Sequence, residues 1–172
     1  MKNLFISGIS GKVGKLISHF ALDGEDFNLV GGSCSPDSTY LNKDLGELLE
    51  TKEIGIKISE GISSDLKIDI IIDFSSPEVS LDILKTAEHY EVPVLIGTTG
   101  FDENQLVAIE EFSKKIPVLL APNTSSGIAI IKTLLNKSKK LFSDKNTFLI
   151  NETHHIETVS YTHLTLPTIM PV

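Results

Sequence analysis

The chain has 172 residues, 41% of them hydrophobic and 22% charged, and a formal net charge of −8. That length carries a proper core, while the charge balance argues against a general nucleic-acid surface and leaves room for a pocket holding a small anion. The apolar runs are strand-length, no signal segment opens the chain, and a single cysteine, Cys34, forbids an internal disulfide. The expectation is a cytoplasmic protein with no membrane and no nucleic-acid partner.

Leu4, Phe5 and Ile6 form an apolar run with strand character. Gly8, Gly11 and Gly14 follow, and Val13, Leu16, Ile17 and Phe20 recur at helical spacing. The opening therefore reads strand, tight turn, helix. The glycines serve different ends. Gly8 lets the chain turn off the strand, Gly11 lets backbone approach a pyrophosphate, and Gly14 lets the helix sit close to the sheet. A phosphate at that helix start meets free N–H groups. The spacing departs from G-x-G-x-x-G, with Ser10 where a glycine is common. Phe27 to Gly31 predicts a second strand, running into Cys34. Dinucleotide folds place an acid there, about 20 residues past the turn, to bond a ribose 2′-hydroxyl. Here the nearest acid is Asp37, and no arginine or lysine adjoins Cys34. NAD and NADP both stay open, and Cys34 reads as a small buried residue rather than a reactive thiol.

The polar stretch 35–67 predicts a loop, a short helix around Asp44 to Leu49 and a weak strand at Ile54 to Ile58. Ile68 to Phe74 is apolar on both faces in its centre, as in a parallel strand covered by helices. Ser75-Ser76-Pro77-Glu78 then supplies a serine N-cap, a first-turn proline and an early acid for a helix through Val79, Ile83, Ala87 and Tyr90. Val92 to Ile96 predicts a strand ending in Gly97-Thr98-Thr99-Gly100, and Asp102 opens a helix through Leu106, Ile109 and Phe112. Ile116 to Leu120 predicts a strand ending in Ala121-Pro122-Asn123-Thr124-Ser125-Ser126, before a helix through Ile128, Ile131, Leu134, Leu135 and Leu141. Thr147 to Ile150 predicts a last strand, leading into Asn151-Glu152-Thr153-His154-His155. Alternation of this kind predicts an α/β fold, a Rossmann-like doubly wound parallel sheet.

Ligands of such sheets bind beyond the carboxyl ends of the strands, where four small, polar loops fall together. Threonine hydroxyls and backbone amides there suit a nicotinamide carboxamide and ribose, with glycine allowing close approach. His19 and His89 sit on helices and read as exposed. His154 and His155 are the acid/base candidates, though in an extended strand they point to opposite faces. No metal site is predicted.

The stretches G-I-S-G-K-V-G at Gly8, I-D-F-S-S-P-E at Ile72, G-T-T-G-F-D at Gly97, A-P-N-T-S-S-G at Ala121 and E-T-H-H at Glu152 carry a resemblance. In that order the chain resembles the dihydrodipicolinate reductases of bacterial lysine biosynthesis, also called 4-hydroxy-tetrahydrodipicolinate reductases. The resemblance implies NADH or NADPH contacts at Gly8, Ile9, Ser10, Gly11, Lys12 and Val13, at Gly97, Thr98 and Thr99, and at Ala121, Pro122, Asn123 and Thr124. Cys34 and Phe74 complete the expected cofactor set. It implies His154 as the catalytic acid/base, His155 and Thr99 as substrate contacts, and a small anionic dicarboxylate substrate. It also implies a family homo-tetramer.

The pattern breaks after the histidines. The family carries a lysine where this chain has Thr158, then D-A-P-S-G-T, and residues 157–172 match none of it. The expected organisation is a dinucleotide-binding domain over 1–126, the start of a second α+β domain for substrate and oligomerisation over 127–156, and a foreign tail over 157–172. Such a chain lacks most of the oligomerisation domain, and weak or absent activity is expected. Two alternatives remain: an aspartate or homoserine dehydrogenase-like enzyme, and a nucleotide-binding module without turnover.

Overall fold

The computed structural model describes residues 1–138, which divide into two compact units, Met1–Ala121 and the stretch from Pro122 onward. The first unit alternates β1 (Lys2–Ser7), α1 (Lys12–Asp23), β2 (Phe27–Ser33), α2 (Leu45–Leu49), β3 (Ile58–Ser59), β4 (Ile70–Asp73), α3 (Pro77–Tyr90), β5 (Val94–Ile96), α4 (Glu103–Ser113) and β6 (Val118–Leu120). The strands form one sheet in the order β3-β2-β1-β4-β5-β6, and every pairing is parallel. This is the Rossmann-like doubly wound sheet expected from the sequence. The second unit contributes α5 (Ser126–Ser138) to the described residues.

Strand β1 lies between β2 and β4 and is buried on both faces. Leu4 and Ile6 enter one core cluster with Ala21 of α1 and Leu45, Leu48 and Leu49 of α2. Phe5 enters the other with Ile83, Leu84 and Ala87 of α3 and Ile109 of α4. Burying one such side chain stabilises by about 1.5–3 kcal/mol, so this strand alone secures helices to both faces.

Local signals act as their chemistry requires. Ser76 caps α3 through Val79 N–H, with Pro77 in the first turn and Glu78 beside it. Asp102 caps α4 in a reciprocal box with Gln105. Asp44 does more than cap α2. Its Oδ1 accepts N–H bonds from Gly46 at 2.7 Å and Ile54 at 2.9 Å, and its Oδ2 accepts one from Gly55 at 2.8 Å.

Several elements differ from expectation. α1 buries Gly14, Ser18 and Ala21 and leaves Val13, Leu16 and Phe20 exposed, with Ile17 packed against the core, because the helix is seated at Gly14 on the turn that precedes it. β2 runs on to Ser33, and β3 shrinks to Ile58–Ser59. Val92 and Ile116 precede their strands: Val92 N–H donates to Ala87 O of α3, and Ile116 N–H to Phe112 O of α4. The expected strand at Thr147 to Ile150, and the part of the last helix that holds Leu141, lie outside the described residues.

The Ile54 amide, foremost among the backbone donors around it, holds the Asp44 carboxyl below its ordinary pKa of 3.8. A carboxyl with a depressed folded pKa adds stability above its unfolded value and loses it as pH falls through the folded one. Hydrogen-exchange protection of the Gly46, Ile54 and Gly55 amides should therefore fall below pH 3.8. Asp44→Asn should show the loss already at neutral pH.

Candidate functional site at the carboxyl edge of the sheet

From β1 the chain winds outward to β3, crosses back to β4 and winds outward again to β6. The loops after β1 and β4 therefore leave in opposite directions and open a crevice at the carboxyl edge, where such sheets bind ligands. Gly8 begins the turn after β1 at φ +75, a left-handed conformation that glycine adopts without cost. A Cβ there would lie 2.2 Å from Phe74 O, so the two loops meet at this point.

The other two glycines divide differently from one another. A Cβ on Gly14 would lie 2.4 Å from Gly8 O and 2.7 Å from Ile9 Cα, so Gly14 seats α1 directly over the turn. A Cβ on Gly11 would meet a single neighbour, Gly8 O at 3.2 Å, and Gly11 has an extended backbone (φ −72, ψ 165). Gly11 thus keeps its outer side open. Gly11 is also the N-cap of α1 and supplies no side-chain cap, whereas α2, α3 and α4 are capped by Asp44, Ser76 and Asp102. An uncapped helix start beside an open glycine suits a phosphate group. Ile9 is fully buried and its N–H donates to Ser33 O, so it anchors the turn. Ser10 is half-buried, and Lys12 and Val13 are exposed.

Past β2, Cys34 is 7% exposed and packs in the cluster of Leu4, Ile6 and Ile9. The small buried residue read from the sequence is what the fold contains. Ser35, Pro36 and Asp37 after it are exposed.

At the ends of β4 and β5 a buried network joins two loops. Asp73 is 0% exposed. Its Oδ1 accepts the Ser75 hydroxyl at 2.5 Å, and its Oδ2 accepts Thr98 Oγ1–H at 2.8 Å and the hydroxyl of Ser80 on α3. Thr98 Oγ1 in turn accepts Ser75 N–H at 2.9 Å. The Thr98 hydroxyl, expected to face a ligand, is spent inside the protein. Gly97 also departs from its expected role. A Cβ there would come within 2.1 Å of the Phe74 ring, so the close approach it permits is that of an aromatic side chain. Thr99 is half-buried. The sequence pattern gave no prominence to Asp73 and Ser80, and the signal was an acid closing an otherwise apolar strand.

Ala121 N–H extends the ladder to Ile96 O at 2.8 Å. Pro122, Asn123 and Thr124 belong to the second unit, where Asn123 Oδ1 accepts Ser125 N–H at 2.9 Å. His154, His155 and Thr158 lie outside the described residues. His19 and His89 are exposed on their helices. Among the described residues no group of three or more His, Cys, Asp or Glu is placed to hold a metal, and no helix is long and apolar enough to cross a membrane.

Residues 2–124 match the family model described as dihydrodipicolinate reductase, N-terminus. The chain is 37% identical over 150 residues to the 4-hydroxy-tetrahydrodipicolinate reductase of Colwellia psychrerythraea, covering 87% of this chain and 56% of that protein. It is 32% identical over 151 residues to the reductase of the same name from Acinetobacter baumannii, covering 87% and 55%. The chain thus spans about half the length of the curated relatives it matches. Among solved structures, a dipicolinate-bound dihydrodipicolinate reductase from Paenisporosarcina sp. TG-14 superposes with a TM-score of 0.64 at 23% identity, covering 83% of this chain and 55% of that one. An aspartate semialdehyde dehydrogenase with NADP from Candida albicans does so at 0.54 and 16% identity, covering 80% and 47%. At these identities the two structures share the fold.

The different surroundings of the glycines make a stability prediction. Gly14→Ala should destabilise the protein by about 1–3 kcal/mol through overpacking, while Gly11→Ala should unfold close to wild type. Urea denaturation followed by circular dichroism measures both.

Proposed function

The chain belongs to the dihydrodipicolinate reductase family, and from that premise we propose that it binds NADH or NADPH at the carboxyl edge of its sheet, as the nucleotide-binding part of a reductase acting on 4-hydroxy-tetrahydrodipicolinate. The observation that carries this reading is the uncapped start of α1 beside the open face of Gly11. There the backbone amides and the positive end of the helix dipole receive a pyrophosphate. Ile9, Ser10, Lys12 and Val13 complete that turn, and Cys34 closes the strand that leads toward the adenosine ribose. Phe74, Gly97, Thr98 and Thr99 shape the wall on the other side. We assign Ala121, Pro122, Asn123 and Thr124 to the same cofactor.

When bound, the reduced nicotinamide supplies a hydride to the cyclic imine. The chain's own part is then to hold the acceptor in line and deliver a proton, which we assign to His154, with His155 and Thr99 contacting the dicarboxylate. General acid help of this kind contributes about 10²- to 10⁴-fold, and alignment can contribute more. We assign 1–126 to nucleotide binding, 127–156 to the start of the substrate domain and 157–172 to a tail foreign to the family. Cytoplasmic residence belongs to the same proposal, while the tetramer of the family needs the oligomerisation domain that this chain mostly lacks.

Fluorescence titration with NADH and NADPH tests the reading. Both should bind the wild-type chain, and Gly11→Val should abolish binding while leaving the fold intact. Equal affinity of the two proteins would remove Gly11 from the site.

A second prediction concerns turnover. NADH or NADPH oxidation with freshly generated substrate should be weak or absent in this chain and in Thr158→Lys. It should return when the C-terminal half of a family relative is grafted on. Robust turnover by the ungrafted chain would overturn the assignment of 157–172.

A further inference from the structure

We propose that Asp73 is a positioning residue for the nicotinamide half of the dinucleotide, acting through Thr98 on the main chain of residues 97–99. The proposal rests on the nucleotide-binding reading above. A pyrophosphate at the start of α1, with its adenosine ribose toward the end of β2, leaves the other half of the molecule to run across the ends of β4 and β5. Those two ends are the ones Asp73 ties together.

The tie fixes orientation as well as distance. Thr98 is 4% exposed, and its hydroxyl is held twice, donating to Asp73 Oδ2 and accepting from Ser75 N–H. A side chain held in this way fixes the main chain that carries it. The ladder bond from Gly97 N–H to Asp73 O, 2.8 Å long, sets where the loop leaves the sheet. Asp73 is anchored in turn to the body of α3 through the Ser80 hydroxyl. Because Asp73 is fully buried, it acts on a ligand only through this loop. The loop therefore reads the nicotinamide half with main-chain groups and Thr99, while the Thr98 hydroxyl serves as its peg.

The test separates the two halves of the cofactor. NADH and ADP-ribose, which lacks the nicotinamide, are titrated by calorimetry onto the full 172-residue chain and onto Thr98→Val, Thr98→Ser and Asp73→Asn. Circular dichroism confirms that each variant is folded. Thr98→Val strands Ser75 N–H and removes one of the two donors to Asp73 Oδ2, and should weaken NADH about tenfold. Asp73→Asn turns one of two acceptor oxygens into a donor and should weaken NADH about threefold. Thr98→Ser keeps the hydroxyl and should bind like wild type. ADP-ribose should stay within about twofold throughout, because it lacks the nicotinamide ring that the loop holds.

Equal losses for NADH and ADP-ribose would reduce the network to general support of the fold and overturn the proposal. So would unchanged NADH binding in all three variants. Loss in Thr98→Val with none in Asp73→Asn would make Thr98 a direct contact and remove Asp73 from the role. If Thr98→Val does not fold, Ser75→Ala, which removes one donor to Asp73, should show the same selectivity at smaller size. Wild-type protein that binds neither NADH nor ADP-ribose would instead refute the nucleotide-binding reading itself.

Discussion

The seat of α1 on the turn that precedes it governs the first unit. Gly14 lies so close to Gly8 O and Ile9 Cα that a single methyl would overlap both. At this seat the helix buries the small residues Gly14, Ser18 and Ala21 and packs Ile17 against the core beside them, while Leu16 and Phe20 are exposed. Ser18 answers its own burial by donating its hydroxyl to Gly14 O at 2.8 Å. The same seat brings the uncapped helix start to the carboxyl edge beside the loop that follows β4. One close contact thus sets the packing of the helix and the direction of its amides.

Two of the three glycines are committed to packing, and Gly11 keeps its outer side open. The buried hydroxyls make a similar division of labour. Ser75, Ser80 and Thr98 all converge on Asp73, whereas the Ser7 hydroxyl, buried one strand away, has no partner among the described residues. Hydroxyls at the carboxyl edge are therefore mostly structural material here. The network ties the loop after β4 to the loop after β5 through Ser75 and Thr98.

Much of this was legible in the residues. The glycine turn, the serine cap with its proline, the helix start at Asp102 and the alternation of strands and helices all follow from local chemistry and apolar patterning. Three things were not. The apolar spacing of Val13, Leu16 and Phe20 announces a helix but does not say which face is inside, because the close seat at Gly14 is a tertiary constraint. Val92 and Ile116 look like strand residues because they are apolar and buried, yet their amides finish the preceding helices. Periodicity cannot separate a helix tail from a strand start in so short a run. The role of Gly97 was hidden as well, since a glycine next to an aromatic ring in space looks the same in sequence as one next to a ligand.

The placement of β1 at the middle of the sheet has a consequence in time. Asn3 and Asp69, 66 positions apart, bond to each other where β1 and β4 begin to pair. A ribosome adding about 5–20 residues each second makes the second partner roughly 3–13 seconds after the first. For that interval Leu4, Phe5 and Ile6 form an apolar ribbon whose β4 edge stays open, and the loop closure that ends the wait is among the longer ones in the unit. The strand that holds the finished sheet together is thus also the segment that a nascent chain has to shield the longest.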